Sequence, residues 1–341
     1  MRLLVIRTSA MGDIALSTPV LAGMMSQYPA VELVFLIRSA YKPFFSSERL
    51  RLFYPDFKSR HKGLLGLIRL YRDITKQSKI DYVIDLHDVL RSKILRLQFR
   101  LAGVPVSVIE KGRSEKRSVI RGISKNKLMH AVERYRDTFS RAGFPVLLPD
   151  GPWIIPTAEA KKKIVSMMDL QGELNIGVAP YAKHNLKMWP EENMVSLLGL
   201  ISEKHKVRFW LFGGTEEAER LKGLQSKVTG SINISGKLSL EEELALMSKL
   251  DMMIAMDSSN MHMAALVGTK VISIWGGTDP INGFGAWMQP ENYTISIPVE
   301  ELACRPCTIY GKGECSRGDF ACMNWLTPEL VFKRMNDLKI W

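Results

Sequence analysis

The sequence predicts an α/β protein made of two doubly wound, Rossmann-like halves. Short apolar runs alternate with longer helical stretches along the chain, the rhythm of parallel sheets with crossover helices. Pro145, Pro149, Gly151-Pro152 and Pro156 cluster in mid-chain, the composition of an interdomain linker. A chain of 341 residues is long for one α/β domain and comfortable for two.

Leu3–Ile6 reads as a buried strand, because four branched apolar residues stand together without alternation. A turn through Arg7-Thr8-Ser9-Ala10-Met11-Gly12 leads to Asp13, and Ile14 to Met25 is apolar enough for one helix. Asp13 therefore lies at the carboxyl end of a first strand, where open α/β sheets bind their ligands. By spacing alone it is either a helix-capping residue or a catalytic carboxylate. Leu33–Ile37 and 82–86 are further strands. Between them, 62–77 sets Leu64, Leu65, Leu67, Ile68 and Tyr71 at helical spacing opposite cations, an amphipathic basic helix that packs on its own domain or touches lipid headgroups.

After the linker, Ala158–Met168 is helical and 175–179 starts a second strand–helix series. Val207–Phe212 is a strand ending in Gly213-Gly214, followed by 252–256 and by Val271–Trp275, which ends in Gly276-Gly277. Behind 252–256 stand Asp257, Ser258, Ser259 and His262 at the start of a small-residue helix, whose N-terminal amides suit a diphosphate. Asp257 is either a sugar ligand or a cap. Pro190 suits a first helical turn, so Lys187 just upstream is a flexible cation within reach of a phosphate, or one more surface lysine.

The net charge of +12 is uneven: residues 1–150 hold 27 Lys+Arg against 13 Asp+Glu, and 151–341 hold 20 against 22. A half this basic should attract phosphate-rich or anionic-surface partners. Nucleic acid is disfavoured, since no recognised nucleic-acid motif or interleaved stacking aromatics accompany the charge. No stretch approaches the ~20 uninterrupted apolar residues of a membrane span. The N-terminus lacks a signal-peptide layout, so the expectation is a cytoplasmic protein, peripheral on a membrane if it meets one.

Together these segments resemble glycosyltransferase family 9, the heptosyltransferases of lipopolysaccharide cores. The resemblance rests on residues 7–19, on Lys187-Met188-Trp189-Pro190-Glu191-Glu192, on the Asp257–His262 block with Gly277-Thr278-Asp279-Pro280, and on a cysteine segment ahead of Thr327-Pro328-Glu329. The chain departs from the family pattern at Ser259, where glycine is usual. The resemblance implies a GT-B fold, two Rossmann-like domains facing a cleft, with an acceptor domain at 1–155 and a nucleotide-sugar domain at 156–326. The last segment, 327–341, is then expected to return to the first domain.

The resemblance further implies Asp13 as general base. It puts Lys187, Lys183, Glu217, Leu238, Asp257, Ser258, Ser259, His262 and Thr278 on the donor, with Glu217 on the ribose. Arg60, Lys62, Arg117 and Arg121 are assigned to the acceptor within the basic half. Cys304, Cys307, Cys315 and Cys322 read as a structural loop, with a zinc cluster as the alternative. The expected activity is inverting, metal-independent, cofactor-free sugar transfer from a nucleotide-diphosphate sugar, ADP-heptose in the best-known relatives, to an anionic glycolipid at the inner-membrane surface. A different nucleotide sugar is the alternative, with a GT-B epimerase behind it.

Overall fold

In a computed structural model, described over residues 1–168 and 173–341, the chain divides into two units. Met1–Lys111 and Ala131–Ile155 form the first, Gly112–His130 and Pro156–Trp341 the second. The first begins with β1 (Arg2–Ile6), α1 (Met11–Ala15), α2 (Thr18–Gln27), β2 (Glu32–Leu36) and β3 (Leu50–Phe53). It continues through α3 (Gly63–Gln77), β4 (Tyr82–Asp85), α4 (Leu90–Leu101) and β5 (Val106–Val108). α5 (Arg113–Ile120) belongs to the second unit, and α6 (Ala131–Arg141) returns to the first.

The first sheet has order β3-β2-β1-β4-β5, every pairing parallel. Leu4, Ile6, Val34 and Val83 from its strands meet Leu67, Leu70 and Ile74 of α3 and Leu95 and Phe99 of α4 in one core. The single helix expected over 14–25 is two. Pro19 has no N–H to continue the ladder, so the Ser17 and Thr18 hydroxyls donate to Ile14 O and Ala15 O at 2.6 and 2.8 Å.

The second unit runs α7 (Ala158–Met167), β6 (Leu174–Ala179), α8 (Glu191–Lys204), β7 (Val207–Leu211), α9 (Ala218–Lys227) and β8 (Ser231–Asn233). Then come α10 (Leu240–Met247), β9 (Met252–Met256), α11 (Ser259–Leu266), β10 (Val271–Ile274), β11 (Thr294–Ile295), α12 (Ala321–Asn324) and α13 (Pro328–Asp337). Its parallel sheet has order β11-β10-β9-β6-β7-β8.

Two segments fall elsewhere than chain order suggests. Residues 112–130 sit on the second unit: Lys116 Nζ lies 4.6 Å from the Phe284 ring centroid, and Leu128 N–H donates to Ile281 O at 2.8 Å. The terminal helix α13 belongs to the second unit as well, correcting the expected return to the first. Val331, Met335 and Ile340 are buried in the core with residues of α8, and Arg334 donates to Ser296 O at 2.7 Å.

Candidate active site

In a parallel sheet, ligands gather where the strand order reverses, because the connections on either side leave toward opposite faces. The first sheet reverses between β1 and β4, the second between β6 and β9. Each reversal carries a polar cluster.

At the first, Asp13 is the third residue of α1. Its Oδ2 accepts from the Ala10 N–H at 3.4 Å and pairs with Arg7 Nη2 at 2.6 Å. The cap reading is therefore realised, and the same carboxylate also holds a buried cation. Arg7 is almost wholly buried. Burial works against its charge, but Asp13, Tyr135 and Asp85 together outweigh burial and hold the Arg7 pKa above its ordinary value. Its Nη1 donates to Leu86 O, and Tyr135 Oη donates to Asp13 O at 3.2 Å.

Sequence reasoning missed His87, just beyond β4. Its Nδ1 lies 3.2 Å from Thr8 Oγ1 and its Nε2 3.2 Å from Ser9 Oγ, so one ring spans the turn that delivers Asp13. Burial, reinforced by the Arg7 cation, pushes its pKa down to about 4, leaving a neutral ring at pH 7. His87 also lines a small crevice with Ile6, Leu36, Leu67, Arg91 and Leu95.

Of the four acceptor candidates, Arg60 and Lys62 belong to the first unit and Arg117 and Arg121 to the second. Arg60 is held by Asp73 through Nε and Nη2 at 2.7 and 2.8 Å, and Lys62 is exposed before α3. Arg117 and Arg121 belong to the α5 segment of the second unit and are exposed there.

At the second reversal, Lys187 follows β6 and Asp257 follows β9. Lys187 Nζ pairs with Asp257 Oδ2 at 2.7 Å, and Thr278 Oγ1, beyond β10, donates to the same oxygen at 2.8 Å. Asp257 and Thr278 are buried. The Lys187 stem is packed by Gly311, where a Cβ would come within 2.6 Å of Lys187 Cγ and where φ is +77°. Nothing in the sequence beyond a Gly-Lys-Gly tripeptide marks that loop. Gly277 is closely packed as well: its N–H donates to Leu186 O at 2.9 Å, and a Cβ would press on Leu186 and Cys307 at 3.1 Å.

Ser258 is the N-cap residue of α11, and its buried Oγ has no hydrogen-bond partner among the described residues. Beside it stand the free amides of an eight-residue helix, the arrangement that receives an anion. Ser259 opens α11 with negative φ, so the departure from the family glycine brings no strain. His262 is buried in the same helix.

Lys183 is exposed, and Leu238 is half-buried in the loop before α10. Glu217 turns its Oε2 onto the Gly214 N–H at 2.9 Å, capping its own turn at the end of β7.

The cysteine segment works through its arginine. Buried Arg305 donates to Gly276 O at 2.6 Å, to Ile297 O, and to Thr278 O and Asp279 Oδ2 at 3.2 Å each, fixing the loop that carries Thr278. Cys307 N–H donates to Gly277 O at 3.0 Å. Burial raises the Cys307 thiol pKa and pushes that of Cys322 to about 11. All four cysteines are unbridged, and among the described residues no group of three or more His, Cys, Asp or Glu has metal-holding geometry.

Residues 68–309 match the model of glycosyltransferase family 9 (heptosyltransferase). The chain belongs to glycosyltransferase family 9. It is a glycosyltransferase of GT-B fold class. The lipopolysaccharide core heptosyltransferase OpsX of Haemophilus influenzae is 24% identical over 82% of this chain and 80% of its own. A family 9 glycosyltransferase from Veillonella parvula superposes with a TM-score of 0.77 at 20% identity, over 99% of this chain and 96% of that one. Escherichia coli heptosyltransferase WaaC, solved with ADP-2-deoxy-2-fluoro heptose, gives 0.68 at 18%, over 99% and 100%. These structural likenesses concern the fold.

Proposed function

We propose that this family 9 enzyme transfers heptose from ADP-heptose, with inversion and without a metal ion, to an anionic glycolipid of the lipopolysaccharide core type. The observation that carries the donor half is the Lys187–Asp257–Thr278 cluster beside the α11 N-terminus. Lys187 and the α11 amides neutralise the diphosphate and the charge that grows on it as it leaves, the part a divalent cation plays elsewhere. Asp257 takes sugar hydroxyls. Asp13 accepts the proton of the acceptor hydroxyl as that oxygen attacks the anomeric carbon and the carbon–phosphate oxygen bond breaks, a single displacement that inverts the centre. The relatives named for heptose transfer support the donor. The basic first 150 residues support an anionic acceptor and a station on the cytoplasmic face of the inner membrane.

The test is transfer from ADP-heptose to a heptose-free core lipid in EDTA, with the product anomer read by NMR. Transfer with the opposite anomer to the donor is expected. Retention, or a requirement for added cation, overturns the mechanism. If ADP-heptose is inert while another nucleotide sugar raises the melting temperature and is consumed, the donor assignment falls and the family's chemistry stands.

A further inference from the structure

α3 and α4 pack side by side on the first sheet: the Tyr71 and Phe99 rings lie 4.8 Å apart and Gln98 Nε2 donates to Leu67 O at 3.3 Å. Their inward faces are consumed by the core. Their outward faces mix leucines with cations. Leu64 and Leu65 at the start of α3, and Leu90, Leu97 and Leu101 along α4, are 53–81% exposed. At 100° per residue, Leu90, Leu97 and Leu101 fall within about 40° of one another, a leucine stripe along the whole of α4. Lys93 and Arg100 border it, and α4 contains no acidic residue.

The carboxylates nearby are already engaged. Asp73 holds Arg60 and His61, Asp85 and Asp88 hold Arg96, and Asp88 also pairs with Lys93 at 3.9 Å. Arg69, Arg72 and Arg100 have no carboxylate within ion-pair distance among the described residues. Exposed leucines framed by unneutralised cations are the pattern of a helix lying in an anionic lipid surface. A second copy of this chain fits poorly, because a self-complementary contact sets cation against cation.

We propose that the α3–α4 face docks on an anionic bilayer, leucines in the acyl boundary and arginines at the headgroups. The placement suits the reaction. α4 starts three residues after His87, whose ring spans the Asp13 turn, so a lipid surface on this face lies near the carboxyl edge of the first sheet. The inference deepens the proposed glycolipid acceptor and rests on it for its purpose.

The test is sedimentation of the full chain with vesicles of phosphatidylglycerol and phosphatidylethanolamine, against phosphatidylcholine alone. Binding to the anionic vesicles only is expected, weakened by salt. Arg100→Gln should weaken it about fivefold. Leu97→Ser with Leu101→Ser should weaken it at least about tenfold, with melting temperature and ADP binding unchanged. Equal binding to both vesicles, no binding, or binding untouched by these variants overturns the proposal, as does a dimer that the serine variant abolishes. Transfer to a detergent-dispersed acceptor separates the two readings. Wild-type chain that fails to bind anionic vesicles yet transfers to the dispersed acceptor sinks the docking face alone; wild-type chain that binds the vesicles yet transfers no heptose sinks the donor and acceptor assignment alone.

Discussion

Replacing Lys187 by alanine removes one member of a pair that is shielded on both sides, with 15% of the Lys187 side chain exposed and 7% of that of Asp257. Deleting one partner of a buried pair costs about 3–5 kcal/mol, since the other charge loses its compensation. Asp257 keeps the Thr278 hydroxyl, and alanine leaves room for water, so the loss should sit near the lower bound, about 3 kcal/mol. For a unit of this size that lowers the melting temperature by about 6–12 °C.

If the donor is the proposed ADP-heptose, ADP should stabilise the wild type by about 2.7 kcal/mol at a hundredfold excess over its Kd. Losing a charge-assisted contact worth about 2 kcal/mol cuts that gain to about 1 kcal/mol. Calorimetry with and without ADP reads both quantities. Asp257→Asn in the Lys187→Ala background should recover most of the stability, with a coupling of about 2 kcal/mol, and none of the ADP response. A variant melting within about 1 kcal/mol of wild type with a full ADP shift refutes the assignment, because Lys187 would then hold neither Asp257 nor the diphosphate.

Asp13→Asn should fold, show an unchanged ADP-induced shift and lose about 10²–10⁴ in kcat in a transfer assay; asparagine is preferred to alanine because buried Arg7 needs an acceptor there. Gly311→Ala and Gly313→Ala should each cost about 1–2 kcal/mol in thermal melts, both sites having positive φ. Only Gly311→Ala should weaken ADP binding in titration calorimetry, because its Cβ meets Lys187 whereas nothing stands within 4 Å of the other. His87, held at about 4 against an ordinary 6.5, binds a proton in the unfolded chain before it does in the folded one. Stability should thus fall as pH drops from 6.5 toward 4 and be insensitive to this group above 6.5. His87→Gln should flatten that slope in pH-dependent denaturation; an unchanged slope would show the ring is not buried neutral.

The long buried strands were legible because a strand covered on both faces loses its alternation, as in Leu3–Ile6 and Met252–Met256. Short strands such as Leu50–Phe53 and Thr294–Ile295 were not, since two to four partly exposed residues carry no period. Lys187 and Asp257 were each marked by their motifs, but the 69 residues between them hid that they touch. His87 was invisible for the same reason: its partners Thr8 and Ser9 lie 79 and 78 residues away. Segment 112–130 looked like part of the basic first half, and only contacts such as Leu128 with Ile281 place it with the second.

Both strand-order reversals join a cation to a carboxylate, Arg7 to Asp13 and Lys187 to Asp257. Such pairs fix side-chain geometry before a ligand arrives, at the expense of requiring the ligand to compete for one partner. At Asp257 the competition has a direction. A diphosphate that draws Lys187 toward itself leaves the Asp257 carboxylate with the Thr278 hydroxyl and with acceptor capacity to spare, which sugar hydroxyls can fill. On the proposed function, diphosphate capture and sugar recognition are thereby coupled through one oxygen atom, Asp257 Oδ2. Arg305 secures the coupling from behind, because it holds the Thr278 carbonyl while the Thr278 hydroxyl holds Asp257. A loosened Arg305 should therefore weaken binding of the nucleotide sugar more than that of ADP, since only the former needs Asp257 in place.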